Sequence, residues 1–158
     1  MSGCTVDGQP VPVALLAADP FRPLISLLRE ELGITGPKQG CAIGRCGACL
    51  VLLDGTPAQA CLTPAFRLAG RAVTTEAGLD AALRARITTA LEAERAIQCG
   101  ACAPGLVVAL SWILARGAAS DAAEAELLLA GQICRCGAHD GVRRALALLL
   151  RQSGTAFA

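Results

Sequence analysis

The sequence has few aromatic residues and almost no net charge. None of its 158 residues is tyrosine, aromatic residues make up 3%, and the formal net charge is +1. Proteins that bind single-stranded nucleic acid stack the bases on aromatic side chains, and binding to a phosphate backbone requires a basic surface. A nearly neutral chain also lacks the charge that attracts an anionic membrane. We therefore expect no nucleic acid partner and have no reason to expect a membrane surface.

The sequence also lacks the usual catalytic motifs. Its single histidine, His139, gives no basis for a Ser–His–Asp set. A Walker phosphate-binding loop is absent, and no Gly-x-Gly-x-x-Gly pattern follows a predicted strand. We expect His139 to cap a helix or to contact a ligand residue rather than to bind metal itself. No catalytic residue is assigned to this chain.

Long hydrophobic runs and a secretion signal are missing as well. The longest apolar stretch, residues 106–115, is interrupted by Ser111 and is too short to span a bilayer. Residues 1–13 contain no basic residue, so no signal peptide is expected. We expect assembly in the cytoplasm, and the sequence leaves open whether a folded complex is later exported to the periplasm. Because 54% of the residues are hydrophobic, we expect surplus apolar surface to lie against another subunit.

What the sequence does contain is cysteine: eight of its nine cysteines form two groups of four. The first group, spaced C-x4-C-x2-C-x11-C, consists of Cys41, Cys46, Cys49 and Cys61. This spacing is typical of plant-type ferredoxins, in which four thiolates hold a 2Fe-2S cluster. A two-residue hairpin turn at residues 54–55 would place residue 49 opposite residue 60, with Cys61 one position further along, and a bulge or a slightly longer loop would bring Cys61 within reach. A four-cysteine zinc site is the alternative, although zinc sites usually use paired knuckles.

The second group, spaced C-x2-C and then C-x-C, consists of Cys99, Cys102, Cys134 and Cys136. Both pairs fall in turns between predicted helices, and in an up-down bundle these turns meet at one end. The starts of the following helices would stabilise an anionic cluster there. A zinc site or a redox dithiol is the alternative. A disulfide framework is not expected from an odd cysteine count, and we expect Cys4 to be a buried or free thiol.

The hydrophobic pattern changes its period near the middle of the chain. The first half predicts hairpin strands at 5–6 and 11–13, a helix over 24–32 ending at Gly33, hairpin strands at 50–53 and 57–60, and a strand at Val73. The second half predicts four helices over about 80–96, 104–116, 121–130 and 139–151. The expected fold class is therefore α+β, with a small-sheet domain at residues 1–78 and a helical bundle at 79–158.

Four sequence motifs together resemble a known family. They are TGPKQGC at 35–41, GRCGAC at 44–49, QCGACAPG at 98–105 and GQICRC at 131–136. In this order they resemble the small iron–sulfur subunit of the molybdenum hydroxylases, the xanthine oxidase family. The loop sequences look closer to its isoquinoline or nicotinate type than to its flavin-coupled type. The resemblance implies a β-grasp, ferredoxin-like domain followed by a four-helix bundle, each with one 2Fe-2S cluster.

The resemblance also implies a partner and a direction of electron flow. In this family a large separate subunit binds molybdopterin and oxidises aldehydes or N-heteroaromatic compounds. Electrons pass first to the cluster of the helical domain and then to that of the ferredoxin-like domain. Gln98 and Cys136 match the positions that face the pterin. The next acceptor is a flavin subunit, a cytochrome c or another carrier.

Two other classes of protein stay open from the sequence. One is a free-standing ferredoxin-type carrier, which would purify as a lone monomer. The other is a structural or interaction protein that binds zinc and is colourless. Neither explains the high apolar content together with two groups of four cysteines as well as an electron-transfer subunit does.

Overall fold

The computed structural model describes residues 3–117 and 122–152. It combines a mixed sheet with helices, so the predicted α+β class is confirmed. In this part of the chain no helix is both long and apolar enough to cross a membrane. The predicted outer ends of the two domains, at residues 1–2 and 153–158, lie outside the described residues. The predicted start of the third helix at residue 121 lies outside them too.

The first half of the chain forms a five-stranded sheet in the order β2-β1-β5-β3-β4. Its strands are β1 (Cys4–Val6), β2 (Gln9–Val11), β3 (Leu50–Leu53), β4 (Thr56–Gln59) and β5 (Ala72–Thr74). β1 and β5 run parallel, and the other neighbours run antiparallel. The predicted strands are confirmed, although β2 and β4 both begin earlier along the chain than expected.

Two tight turns close the predicted hairpins. Asp7 and Asp54 both have φ of 50°, and each is followed by a glycine with positive φ. Two successive left-handed residues are typical of the type I′ turn, whose twist matches that of the flanking strands. The resulting register pairs Leu50 with Gln59 across the second hairpin. This register determines where Cys61 lies.

The helix predicted over 24–32 forms in two parts. It begins as α2 (Leu24–Ser26) and continues as a π-helical turn at Leu27–Glu31. Its first part and the start of the turn bury leucine and isoleucine side chains against the sheet. Gly33, with φ of 65°, lies just beyond the helix as predicted for a C-terminal cap.

Two short helical segments are not predicted by the sequence pattern. They are α1 (Val13–Ala18) and a 3-10 turn at Ala65–Leu68. α1 fully buries only Leu16. A segment of this length is too short for a helical period of apolar residues to stand out.

The second half contains the four predicted helices. They are α3 (Ala81–Ala93), α4 (Ala103–Arg116), α5 (Ala122–Leu128) and α6 (His139–Gln152). The carboxylate of Asp80 caps α3 by accepting a hydrogen bond from the Leu83 N–H at 2.8 Å. Pro104 lies in the first turn of α4, where its missing N–H costs no hydrogen bond.

Each half of the chain has an apolar core of its own. One core lies between the sheet and the segments that cross it, and the other joins α3, α4, α5 and α6. Leu50 of β3 belongs to the helical core, because α4 packs against β3 and β4. The start of α4 therefore lies beside the cysteine loop that precedes β3.

Candidate metal centre

Three thiols of the first group lie in the loop that leads into β3, and the fourth follows β4. The N–H of Ala60 donates to the carbonyl oxygen of Cys49 at 3.2 Å, so residues 49 and 60 face each other as predicted. Cys61 is the next residue along the chain. The hairpin therefore delivers the fourth sulfur to the loop that carries the other three.

These four thiols associate as two pairs. Cys41 hydrogen-bonds with Cys46, and Cys49 hydrogen-bonds with Cys61. Cys46 is also close enough to Cys49 to influence its ionisation. The first pair is half-buried, whereas both members of the second pair are buried. The site therefore has an outer pair and an inner pair of sulfurs.

The loop that carries the first three thiols turns repeatedly through left-handed backbone. Ala42, Gly44 and Gly47 have φ of 58°, 74° and 75°. Alternation of this kind lets successive backbone N–H groups face one concave side, where an anion binds. Glycine adopts such angles without steric cost, which explains two of the three residues.

Backbone N–H groups of this loop prepare Cys41 to bind as a thiolate. The Arg45 N–H donates to the Sγ of Cys41 at 3.2 Å. Hydrogen bonds from the backbone of Ile43 and Arg45 lower the pKa of Cys41 to about 6. Burial instead raises the pKa of Cys49 to about 11, and its S–H donates to the Oε1 of Gln59 at 3.4 Å. A metal that binds here must displace the Cys49 proton.

The second group of thiols lies at the starts of α4 and α6. Cys99 and Cys102 lie in the turn between α3 and α4, and Cys134 and Cys136 lie in the turn before α6. Cys99 hydrogen-bonds with Cys136, and Cys102 hydrogen-bonds with Cys134. Cys99 and Cys136 are exposed, whereas Cys134 is buried and Cys102 half-buried. The two turns therefore meet as predicted and repeat the division into outer and inner pairs.

In the second group, some thiols have lowered pKa values and others have raised ones. A backbone hydrogen bond from Ala101 lowers the pKa of Cys99, and burial raises the pKa of Cys102 to about 11. Burial opposes ionisation of Cys134, but hydrogen bonds from the Ala138 backbone and from Cys102 lower its pKa overall. Each site thus combines thiols that ionise readily with thiols that lose a proton only on metal binding.

The donor set of both sites fits a two-iron cluster. Among residues 3–117 and 122–152, no set of three or more His, Cys, Asp or Glu side chains is arranged to hold a metal ion. The thiols of each site hydrogen-bond in two pairs, and a 2Fe-2S cluster with four thiolates has two for each of its irons. A structural zinc site would place all four sulfurs around one ion.

Comparison with known proteins agrees with this chemistry. A family described as a 2Fe-2S binding domain matches residues 74–147. The isoquinoline 1-oxidoreductase alpha subunit of Brevundimonas diminuta is 35% identical over 89% of this chain and 91% of its own length. The xanthine dehydrogenase iron-sulfur-binding subunit of Escherichia coli O157:H7 is 39% identical over 84% of this chain and 83% of its own. The chain belongs to the iron–sulfur subunits of the molybdenum hydroxylases.

A solved structure extends this similarity to the fold of the iron–sulfur subunit. The structure of quinoline 2-oxidoreductase from Pseudomonas putida 86 contains a chain that matches with a TM-score of 0.74 and 32% identity. The match covers 96% of this subunit and 95% of that chain. The resemblance to this family that the four cysteine-bearing motifs indicate is therefore confirmed.

In this iron–sulfur subunit, the residues predicted to face a pterin lie at the surface. Gln98 is exposed, and so are Cys99 and Cys136 of the outer pair beside it. Arg45 and Arg135, which lie within the two ligand loops, are exposed as well. The helical-half site is therefore open to a partner on the side where Gln98 lies.

Two residues near the thiols are not singled out by the sequence pattern. Gln59 accepts the Cys49 hydrogen bond, and the hairpin register could have identified it because it faces Leu50. The N–H of Ile133 donates to the carbonyl oxygen of Cys46 at 3.0 Å. No local signal predicts this contact, because it joins segments far apart in the chain.

Cys4, in β1, is buried, and burial raises its pKa.

Proposed function

We propose that the chain holds two 2Fe-2S clusters and relays electrons from a molybdopterin-binding partner subunit to a further acceptor. The observation that carries this proposal is the association of the thiols as two pairs at both sites. The proposed ligands of the first cluster are Cys41, Cys46, Cys49 and Cys61. Those of the second cluster are Cys99, Cys102, Cys134 and Cys136. A bound 2Fe-2S cluster supplies reversible one-electron chemistry.

The chain's own role in this function is to hold the sulfurs and to offset negative charge. Backbone N–H groups around Cys41 and Cys99 favour their thiolate forms. The second site lies at the starts of α4 and α6, whose helix dipoles also favour an anion. Cys49 and Cys61 belong to the core of the sheet half, and Cys102 packs against the core of the helical half.

We propose that the two halves are separate domains at residues 1–78 and 79–158. The first would be a β-grasp, ferredoxin-like domain and the second a four-helix bundle. The separate apolar cores of the two halves support this division. So does the pairing of the parallel strands β1 and β5 beside two antiparallel hairpins, which gives a compact mixed sheet crossed by α2.

We propose that electrons enter at the helical-half site and leave from the first site. Gln98 and Cys136 would face the molybdopterin of the large subunit, and their exposure supports this. The substrate of that large subunit would be an aldehyde or an N-heteroaromatic compound. The acceptor beyond the first site would be a flavin subunit, a cytochrome c or another carrier. Assembly would take place in the cytoplasm, where thiols stay reduced.

Apolar side chains at the surface support assembly with partner subunits. Phe21, Ile43 and Leu127 are all largely exposed. Ile43 lies within the first ligand loop, two residues after Cys41. Exposed apolar residues near a functional site are typical of surfaces that another protein covers. A free-standing ferredoxin-type carrier is the alternative function, and it would leave these side chains in water.

The test is the metal content and the electron paramagnetic resonance of the chain purified with its large subunit. We expect two distinct 2Fe-2S signals after reduction. Cys49→Ser should remove one signal and leave the other, because the two sites share no ligand. Cys4→Ser is the matched control, since Cys4 is also buried but lies in β1 outside both groups. It should retain both signals.

Three outcomes would contradict the proposal. A colourless protein with zinc and without acid-labile sulfide would exclude the clusters. Loss of both signals in a folded Cys49→Ser protein would exclude independent sites. Purification of the wild-type chain as a stable monomer that never associates with a large subunit would favour the free carrier.

A further inference from the structure

One glutamine side chain contacts a thiol of the first site. Gln59 is the last residue of β4, and its Oε1 lies 3.4 Å from the Sγ of Cys49, whose S–H donates to it. Among the described residues, no other side chain outside the two groups of thiols hydrogen-bonds to one of their sulfurs. In this part of the chain, the first site therefore has a polar side-chain neighbour that the second site lacks.

The backbone fixes Gln59 beside this sulfur. Gln59 pairs with Leu50 across the second hairpin, and Leu50 directly follows Cys49. The carbonyl oxygen of Gln59 accepts hydrogen bonds from the N–H of Leu62 and from the hydroxyl of the buried Thr63, both at 2.9 Å. The hairpin that delivers the fourth sulfur therefore also sets the position of the Gln59 side chain.

The Cys49 sulfur changes from a donor to an acceptor when it binds iron. A ligating thiolate has no proton to donate, and the Oε1 of Gln59 can only accept, so the present contact would bring two acceptors together. Rotation of the amide by half a turn replaces Oε1 with the donor Nε2. This torsion is broad and two-fold. Within the described ranges, Nε2 has no hydrogen bond that the rotation would break.

We propose that Gln59 donates a hydrogen bond from Nε2 to the Sγ of Cys49 in the loaded site and thereby raises the reduction potential of the first cluster. This inference rests on the proposed function, because it assumes a 2Fe-2S cluster at that site. Hydrogen bonds to the sulfurs are among the factors that set the potential of such a cluster. One-electron reduction adds negative charge, which an N–H donor offsets. Gln59 therefore favours the first cluster as the receiver of an electron from the second.

The alternative is that the side chain moves away from the sulfur. Gln59 lines a cavity of about 320 Å³ together with Arg67 and Arg71, and this space is large enough to receive its amide. Rotation is favoured over this movement because it keeps the contact and supplies a donor to an anionic sulfur. Hydrogen bonds with an ionised partner are roughly twice as strong as neutral ones.

The experiment measures the midpoint potentials of both clusters in the full chain with its large subunit, by redox titration followed by electron paramagnetic resonance. Gln59→Leu removes the amide, and Gln59→Glu keeps the shape of the side chain but replaces the donor with a carboxylate. Gln9→Leu is the matched control, because Gln9 is an exposed residue of β2 at the opposite edge of the sheet. Hyperfine coupling to nitrogen-15 placed in glutamine side-chain amides reports the N–H···S contact independently of any activity.

In Gln59→Leu, we expect the equilibrium constant for reducing the first cluster to fall about tenfold, a shift of about 59 mV to more negative potential. Gln59→Glu should shift in the same direction. The nitrogen-15 coupling on the first-site signal should disappear in Gln59→Leu and persist in Gln9→Leu, and the second cluster should keep its potential in all variants.

An unchanged first-site potential in Gln59→Leu would overturn the proposal, as would a wild-type first-site signal without nitrogen-15 coupling. Equal shifts at both sites would overturn it too, because the substitution would then act through the fold. If the wild-type complex shows no 2Fe-2S signal from the first site, the proposed function itself fails and this inference fails with it.

Discussion

Gly105 makes a backbone-to-backbone contact between the two halves of the subunit. It lies in the first turn of α4, against the first ligand loop. A Cβ atom at this position would lie 3.1 Å from the carbonyl carbon of Gly47 and 3.2 Å from the Cα of Ala48. It would lie closer still to the Gly47 carbonyl oxygen. No side-chain rotation can relieve such a clash, so Gly105→Ala must displace either α4 or the loop.

The expected effect on the free energy of unfolding is the balance of two opposing terms. Forcing extra volume into a packed contact costs about 1–3 kcal/mol. Alanine is preferred to glycine within a helix by about 0.5–1 kcal/mol. Because the clash is with backbone on both sides, we expect the steric term to dominate and Gly105→Ala to lower stability by about 1–2 kcal/mol.

Gly131→Ala is the matched control. No atom lies within 4 Å of a Cβ added at Gly131, and its φ is not in the left-handed region. Alanine has fewer backbone conformations than glycine in the unfolded chain. The free energy of unfolding of this variant should therefore be unchanged or higher by about 0.4–1 kcal/mol.

The assay is denaturant unfolding of the full chain followed by far-ultraviolet circular dichroism. Fluorescence of Trp112, the only tryptophan and a residue of α4, gives a second probe of the same transition. In a thermal scan each kcal/mol should appear as a shift of about 2–4 °C in Tm. Equal stability of Gly105→Ala and Gly131→Ala would refute the close contact between α4 and the ligand loop.

Two carboxylates of the sheet half give further predictions. Asp7 accepts hydrogen bonds from the N–H and hydroxyl of the buried Thr75, at 2.7 and 2.6 Å. Asp7→Ala should lower the unfolding free energy by about 1–3 kcal/mol in denaturant titrations, because it leaves these donors unpaired, and an unchanged midpoint would contradict this. Hydrogen bonds from the Ala72 backbone and from Arg71 lower the pKa of Asp54. The stability they add is present above about pH 4 and lost as the pH falls through the lowered pKa, so Asp54→Asn should be less stable than wild type at pH 6, and the difference should shrink as the pH is lowered through that pKa.

Much of the fold follows from local sequence signals. The second hairpin forms where Asp54 and Gly55 predict a turn, because that pair tolerates the left-handed backbone that a type I′ turn requires. The four helices of the second half form where the apolar period predicts them, since each has enough turns for the pattern to stand out. α1 (Val13–Ala18) could not be predicted from such a pattern, because it is short and fully buries a single side chain.

The contacts between the two halves could not be predicted in this way. The hydrogen bond from Ile133 to Cys46 and the contact of Gly105 with Gly47 join residues that are distant in the chain. They depend on how α4 lies across β3 and β4, which is a property of the assembled cores. The cysteine spacings identify the thiols of each site, but the division into outer and inner pairs also depends on this packing.

The account as a whole depends on two irons being held at each group of four thiols. Its most direct test is quantitation of iron and acid-labile sulfide in the intact complex, combined with electron paramagnetic resonance of the reduced protein. The account predicts two irons and two sulfides for each site, and two separate signals. Iron and sulfide for only one site, or zinc in place of iron, would contradict it.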